Sequence, residues 1–195
     1  MNAAFNWCSM SDNPTDAFNW SDAEPSQFEH RRIRIAASSE MLLAVGSYGD
    51  HALAEVMGEE SGTWSSVATY PFHQSVSLAP VLNVGSPFTF YIIGGWSTTF
   101  NDVISTIARF DAIENKWTAS GEMNKGRWAH GAVFMSGHFL IAGGKQTDTM
   151  DVLTEKCELG GNNVACVEQT PRLNEHMYYP EMFTLLDRLS FCPVV

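Results

Sequence analysis

Three histidines occur at similar places along the chain, and imidazole groups can bind metal ions or transfer protons. His73, His130 and His176 each precede or open a run of strand-forming residues. One interpretation is a shared metal site, and the other is three polar residues near loops. The chain has no GxSxG or HExxH motif, and its four cysteines lack paired CxxC spacing. The sequence therefore predicts no catalytic residues, no metal site and no cofactor.

Two cysteines flank a stretch that favours a turn. Cys157 and Cys166 lie on either side of Gly160–Asn163. If 160–163 is the turn, the antiparallel register pairs 159 with 164 and 157 with 166. Residues that face each other on adjacent antiparallel strands have Cα atoms about 4.5–5.5 Å apart, which is compatible with a disulfide. The pair is either a disulfide, which would imply an oxidising compartment, or two thiols of a cytosolic protein.

A glycine doublet recurs along the chain at a nearly constant interval. The stretch Phe90–Gly95 (FYIIGG) returns 49 residues later as Phe139–Gly144 (FLIAGG). A weaker copy, Leu42–Ser47, lies 48 residues earlier and keeps only Gly46 of the doublet. A phosphate-binding loop would need a following helix and a Lys with Ser or Thr, and these are missing. A period of about 50 residues indicates a repeat architecture in which the doublet ends a strand.

Each repeat contains four strand-like runs with turn signals between them. Gly131–Met135 precedes the last doublet, and a run from Ile104 to Asp111 follows the middle one. A short turn then leads to Trp117, and Trp64 holds the matching place in the first repeat. No helical period of helix length interrupts the unit. Four strands in about 50 residues are typical of a β-propeller blade, so the predicted fold is all-β.

The order of these residues resembles the kelch repeat. That family shows a glycine doublet, an aromatic residue followed by Asp, a Trp, and then Met and Arg before the next blade. The match runs without interruption over 88–144. Over 145–171 Val164 stands in place of the Trp, and over 33–71 Ser47 replaces the second glycine. The resemblance implies a kelch-type β-propeller. The matching residues are Gly94, Gly95, Phe110, Asp111, Trp117, Met123, Arg127, Gly143 and Gly144.

The repeats predict about three full blades with partial blades at both ends. A strand of a preceding blade falls in the first segment, and the last segment holds two strands of a following blade. The ring is then incomplete, small and closed by the N-terminal strand, or an open stack completed by self-association. Cys8 and Cys192 would meet only if the terminal strands share a blade. The segments are 1–30, 31–71, 74–123, 127–171 and 176–195.

The charge and hydropathy of the chain argue against some classes of binding partner. Its net charge is −11, with 22 acidic and 11 basic residues. Nucleic acids and anionic membranes attract clustered Lys and Arg, so neither is an expected partner. No apolar run reaches the ~20 residues that span a bilayer, and the N-terminus lacks the pattern of a signal peptide. The compartment stays open, although a Cys157–Cys166 disulfide would favour an extracellular one.

The function predicted from this architecture is non-catalytic protein binding through the loops of one face. Aromatic and basic side chains in these loops are candidates for partner contact, since such residues anchor interfaces. For two of them, Arg127 and Trp128, the alternative interpretation is that they pack blades together. The alternatives are an extracellular structural protein with the Cys157–Cys166 disulfide, and a propeller enzyme. The candidate contact residues are Tyr48, Trp96, Phe100, Arg127, Trp128 and Lys145.

Overall fold

The fold is that of a computed structural model of the 195-residue chain. The structure describes residues 6–9, 19–22, 27–28, 31–48, 51–58, 61–72, 78–146, 154–169, 181–185 and 188–192. The regular secondary structure in these ranges consists of β-strands alone, which confirms the all-β prediction for them. In chain order the strands are β1 (Asn6–Ser9), β2 (Asn19–Asp22), β3 (Arg31–Ala37), β4 (Met41–Tyr48), β5 (His51–Gly58), β6 (Trp64–Ser66), β7 (Val81–Asn83), β8 (Thr89–Ser97), β9 (Asp102–Asp111), β10 (Lys116–Glu122), β11 (Gly131–Met135), β12 (His138–Ala142), β13 (Thr154–Gly160), β14 (Asn163–Gln169), β15 (Glu181–Leu185) and β16 (Arg188–Cys192).

The first large sheet is a four-stranded antiparallel meander in the order β3–β4–β5–β6. Leu43, Ala44 and Val45 are buried in succession on β4. Because successive strand residues point to opposite faces, both faces of this sheet are covered. On one of them Gln27 donates its backbone N–H to the buried Glu55 carboxylate at 2.8 Å.

The second large sheet has eight strands in the order β11–β12–β13–β14–β10–β9–β8–β7. It consists of two antiparallel halves, β7–β10 and β11–β14. A short parallel pairing of Gly121 with Val164 and Glu122 with Ala165 joins them. The two edge strands, β7 and β11, also contact each other, so the sheet is nearly closed and barrel-like.

Two clusters of apolar side chains form most of the core, and β8 contributes to both. Phe90 and Ile92 pack with Leu43 and other residues of the four-stranded sheet. Tyr91 and Ile93 point to the other face, where they pack with Phe139 and its neighbours inside the barrel-like sheet. A strand that is apolar on both faces is therefore explained by burial between two layers.

The first strands of successive repeats lie next to one another. β3 contacts β7, β7 contacts β11, and β11 contacts β15. The terminal strands form two further hairpins, β1–β2 and β15–β16. The β13–β14 hairpin turns at Gly160–Asn163 and pairs 157 with 166 and 159 with 164, which confirms the predicted register.

Candidate functional site

The doublet Gly94–Gly95 lies inside β8, which continues to Ser97 after a register shift at the doublet, so the prediction that it ends the strand is wrong here. The doublet lets a neighbouring connection approach closely. Gly94 has φ +59°, a conformation that favours glycine. A Cβ at this position would overlap the Met123 side chain and lie 2.9 Å from the carbonyl oxygens of Arg127 and Ile104. Gly95 donates its N–H to the Arg127 carbonyl at 2.9 Å. The doublet therefore holds the connection between β10 and β11 against β8.

The second doublet, Gly143–Gly144, fixes the same connection from the other side. Trp128 and Lys145 exchange two backbone hydrogen bonds, of 3.0 and 2.9 Å. A Cβ at Gly144 would lie 2.7 Å from the Trp128 carbonyl oxygen and from the His130 Cβ. Residues 127 and 128 are thus bound to Gly95 within β8 and to Lys145 in the chain that follows β12.

This arrangement brings together three of the predicted contact residues. The Trp96 and Trp128 rings lie 5.7 Å apart, centroid to centroid, at an interplanar angle of 57°. Lys145 Nζ lies 6.0 Å from the centroid of the Trp128 ring, at the outer limit of a cation–π contact. Phe100, 66% exposed, lies in the turn that follows the strand of Trp96. We call Trp96, Phe100, Trp128 and Lys145 the Trp–Lys patch.

Arg127 is not part of this patch, because its side chain is completely buried. Its Nη2 forms a 2.6 Å ion pair with Glu155 of β13, and its Nη1 donates to the Gly143 carbonyl at 3.2 Å. The Asn124 N–H donates to the second Glu155 oxygen at 2.8 Å. These contacts agree with the packing interpretation of Arg127 and exclude direct contact with a partner in this conformation. The buried charges stabilise the connection only as a pair, since either one alone would be costly.

Tyr48 lies two residues after Gly46. Trp96 and Lys145 lie at the same distance after the first glycine of their own repeats. Its backbone pairs with His51 at the tip of the β4–β5 hairpin. Its side chain lies outside what the structure describes, so its contact role remains a prediction.

His130 is buried beside the Trp–Lys patch, next to Ala129 and Trp128 in sequence. Burial lowers the pKa of His130 well below its usual 6.5, and the charges of Arg127 and Arg34 lower it further. The Ile93 backbone lies near enough to oppose that shift, although neither ring nitrogen forms a hydrogen bond of ordinary geometry with the described residues. The ring is therefore neutral at neutral pH. The two other histidines of the hypothetical metal site, His73 and His176, lie outside the described residues.

Cys157 and Cys166 are joined, with an S–S distance of 2.08 Å and a Cα–Cα distance of 3.9 Å. The disulfide interpretation of this pair is therefore the one that the structure supports. Cys157 is fully buried in the core of the barrel-like sheet, while Cys166 is partly exposed. The disulfide thus connects the core to the surface of the β13–β14 hairpin.

The sequence analysis did not single out Glu155, which binds the connection between β10 and β11 through Arg127 and Asn124. Glu55 lies 100 residues earlier, two repeats away, and is also a buried carboxylate that accepts a backbone N–H. Glu55 lies opposite Ala44 and Glu155 lies opposite Ile141, and each of these partners is two residues before the glycine of its repeat. The two acids align in sequence only if a gap of three residues is allowed after the glycines. This recurrence of an acidic residue is the available signal, because a buried carboxylate needs a partner.

Solved structures of other proteins share the fold of this chain, but no comparison assigns the chain to a protein family. No protein-family model matches the chain, and no curated protein matches it. Among 171 matching chains of solved structures is one described as "Structure of YjhT". It has a TM-score of 0.75 at 14% identity, over 96% of this chain and 65% of that one. This chain therefore spans less than two thirds of that structure, and the likeness concerns the fold alone.

Within the described part of the chain, no segment forms a helix long and apolar enough to cross a bilayer.

Proposed function

We propose that the chain is a kelch-type β-propeller in which 31–71, 74–123 and 127–171 form three blades. Each range contains one antiparallel set of four strands. The first strand of each set lies beside the first strand of the next, as blades around a common axis require. The kelch-like order of residues over 88–144 and the likeness to a larger solved structure support this proposal.

The function that this geometry supports best is non-catalytic protein binding at the Trp–Lys patch. The observation that carries the proposal is the Trp96–Trp128 ring pair beside Lys145. Trp96 lies on β8, Trp128 and Lys145 lie on connections, and backbone hydrogen bonds join these three segments. Tryptophan and basic side chains are favoured at the centres of interfaces. A surface held in place before binding loses little conformational entropy when a partner docks.

A peptide selection tests this proposal without a known partner. Peptides from a displayed random library would be selected on the folded full-length chain, and the tightest one titrated by calorimetry. We expect Trp96→Ala, Phe100→Ala and Lys145→Glu each to weaken binding by at least about tenfold, the loss of roughly 1.4 kcal/mol of binding free energy. Circular dichroism of each variant would show that the sheet is intact.

Ile113 provides the matched control. It is an apolar side chain, 72% exposed, in the turn at the opposite end of β9 from Phe100. The ten residues of β9 separate these turns by about 30 Å. We expect Ile113→Ala to leave the affinity unchanged. If Ile113→Ala weakens binding as much as Phe100→Ala does, the binding surface is elsewhere.

A second candidate function, an extracellular structural protein, is favoured by the Cys157–Cys166 disulfide. Disulfides persist mainly in oxidising compartments. The test is to lyse source cells directly into denaturant that contains excess alkylating agent, so that the buried Cys157 also reacts if it is a thiol, and to map the modified cysteines by mass spectrometry. Protection of both cysteines is expected for this candidate, and alkylation of both would eliminate it.

A further inference from the structure

The β13–β14 hairpin places three metal-ligand groups on one face. Glu155 and Cys157 are two residues apart on β13 and so point to the same side, and Cys166 lies opposite Cys157 on β14. The ligand atoms of these three residues all lie within 4.8 Å of one another. We propose that reduction of the Cys157–Cys166 disulfide creates a site for a thiophilic divalent cation, with zinc as the best match.

The chemistry of this conversion is balanced. A dithiol reductant gives two electrons and two protons to the S–S bond, which breaks to leave two thiols, and the reductant becomes a disulfide. The cation then binds both sulfurs as thiolates and releases two protons. In the oxidised hairpin neither sulfur carries thiolate charge, so the disulfide form does not bind the cation.

Charge balance favours a divalent cation at this position. Two thiolates and the Glu155 carboxylate carry three negative charges. A divalent cation and the neighbouring Arg127 guanidinium, 2.6 Å from that carboxylate, carry three positive ones. The oxidised state is also neutral, since Arg127 and Glu155 cancel there. Both states therefore avoid an uncompensated buried charge, which would be costly.

Glu155 has the geometry of a metal ligand whose carboxylate is oriented by neighbouring hydrogen-bond donors. Its two oxygens accept hydrogen bonds from Arg127 Nη2 and from the Asn124 N–H at 2.6 and 2.8 Å. Each oxygen keeps a second lone pair, and ligating carboxylates are commonly oriented by such partners. Tetrahedral zinc needs ligand atoms about 3.5–3.8 Å apart, so side-chain movements of about 1 Å complete the site. A water molecule can take the fourth position on the side of the partly exposed Cys166.

Cobalt(II) absorption tests this site on the full-length chain. The other two cysteines would first be removed as Cys8→Ser and Cys192→Ser, so that every thiolate signal comes from the hairpin. In this experiment a phosphine replaces the dithiol: it gives two electrons to the S–S bond and takes the oxygen of one water as phosphine oxide, and the two protons of that water go to the sulfurs. After removal of air, we expect one equivalent of cobalt to bind with a thiolate-to-cobalt absorption band, and zinc to abolish that band. The same chain with its disulfide intact should show no band.

Three further variants separate the site from adventitious binding. Cys157→Ser and Cys166→Ser should each abolish stoichiometric binding. Glu155→Gln should weaken it, whereas Glu158→Gln, an exposed carboxylate on the same strand, should leave it unchanged. If Glu155→Gln disturbs the fold by circular dichroism, the two cysteine variants decide. Equal cobalt binding by the oxidised and reduced chains, or no binding by the reduced folded chain, would overturn the proposal.

Discussion

At the scale of one residue, burial determines the protonation state of His130. Its ring is removed from water, and the Arg34 and Arg127 charges add to the cost of protonating it, so its pKa is well below 6.5. In the unfolded chain the same imidazole has an ordinary pKa of about 6.5. The folded state therefore keeps the ring neutral in a pH range where the unfolded state takes up a proton.

This difference predicts a loss of stability in mild acid. Because the folded pKa is the lower one, the contribution of His130 is complete above about pH 6.5 and is lost as the pH falls toward the folded value. The slope that it adds approaches about 1.4 kcal/mol per pH unit. Urea unfolding across this pH range should show the slope in the native chain and a shallower one in His130→Leu, which cannot be protonated. The same pH dependence in both chains would show that His130 titrates normally.

At the scale of elements, the glycine doublet inside β8 determines how closely the connection that carries Trp128 approaches this strand. Gly94→Ala should lower the free energy of unfolding by at least about 2 kcal/mol, because the added methyl group meets a positive φ and a crowded site. Gly62→Ala is the matched control. Gly62 has φ +61°, but a Cβ there has no atom within 4 Å. We expect a loss of only about 1 kcal/mol for this variant.

Urea denaturation of the two glycine variants measures the difference directly. The two positions share the backbone strain, so the excess loss in Gly94→Ala reports the overlap with the Met123 side chain and the close approach of the Arg127 and Ile104 carbonyl groups. Equal losses in the two variants would mean that the connection moves away at little cost, and that the doublet does not hold the patch.

The sequence predicted the elements that depend on local information. The turn at 160–163 set the β13–β14 register and hence the disulfide, because a hairpin is closed by neighbouring residues. The sequence did not predict the contacts between residues far apart in the chain. The burial of Arg127 depends on Glu155, 28 residues away, and the short parallel pairing of β10 with β14 depends on how two sheets meet. Strand alternation shows that a face is buried but does not show which partner covers it.

At the scale of the whole molecule, the patch lies at one end of the long strands. Residues 98–101 connect β8 to β9 at that end, and residues 112–115 connect β9 to β10 at the other. The chain is strongly acidic, with a net charge of −11, whereas the patch carries a lysine. The proposed function therefore assigns different roles to the two ends of one fold, binding at the first and none at the second.

Amide hydrogen exchange with and without the selected peptide tests this central claim most directly. The account predicts slower exchange on peptide binding in residues 98–101 and 124–128. It predicts unchanged exchange in residues 112–115, at the far end of β9. Protection of 112–115 with no change at 98–101 or 124–128 would contradict the account and would place the binding surface at the opposite end of the molecule.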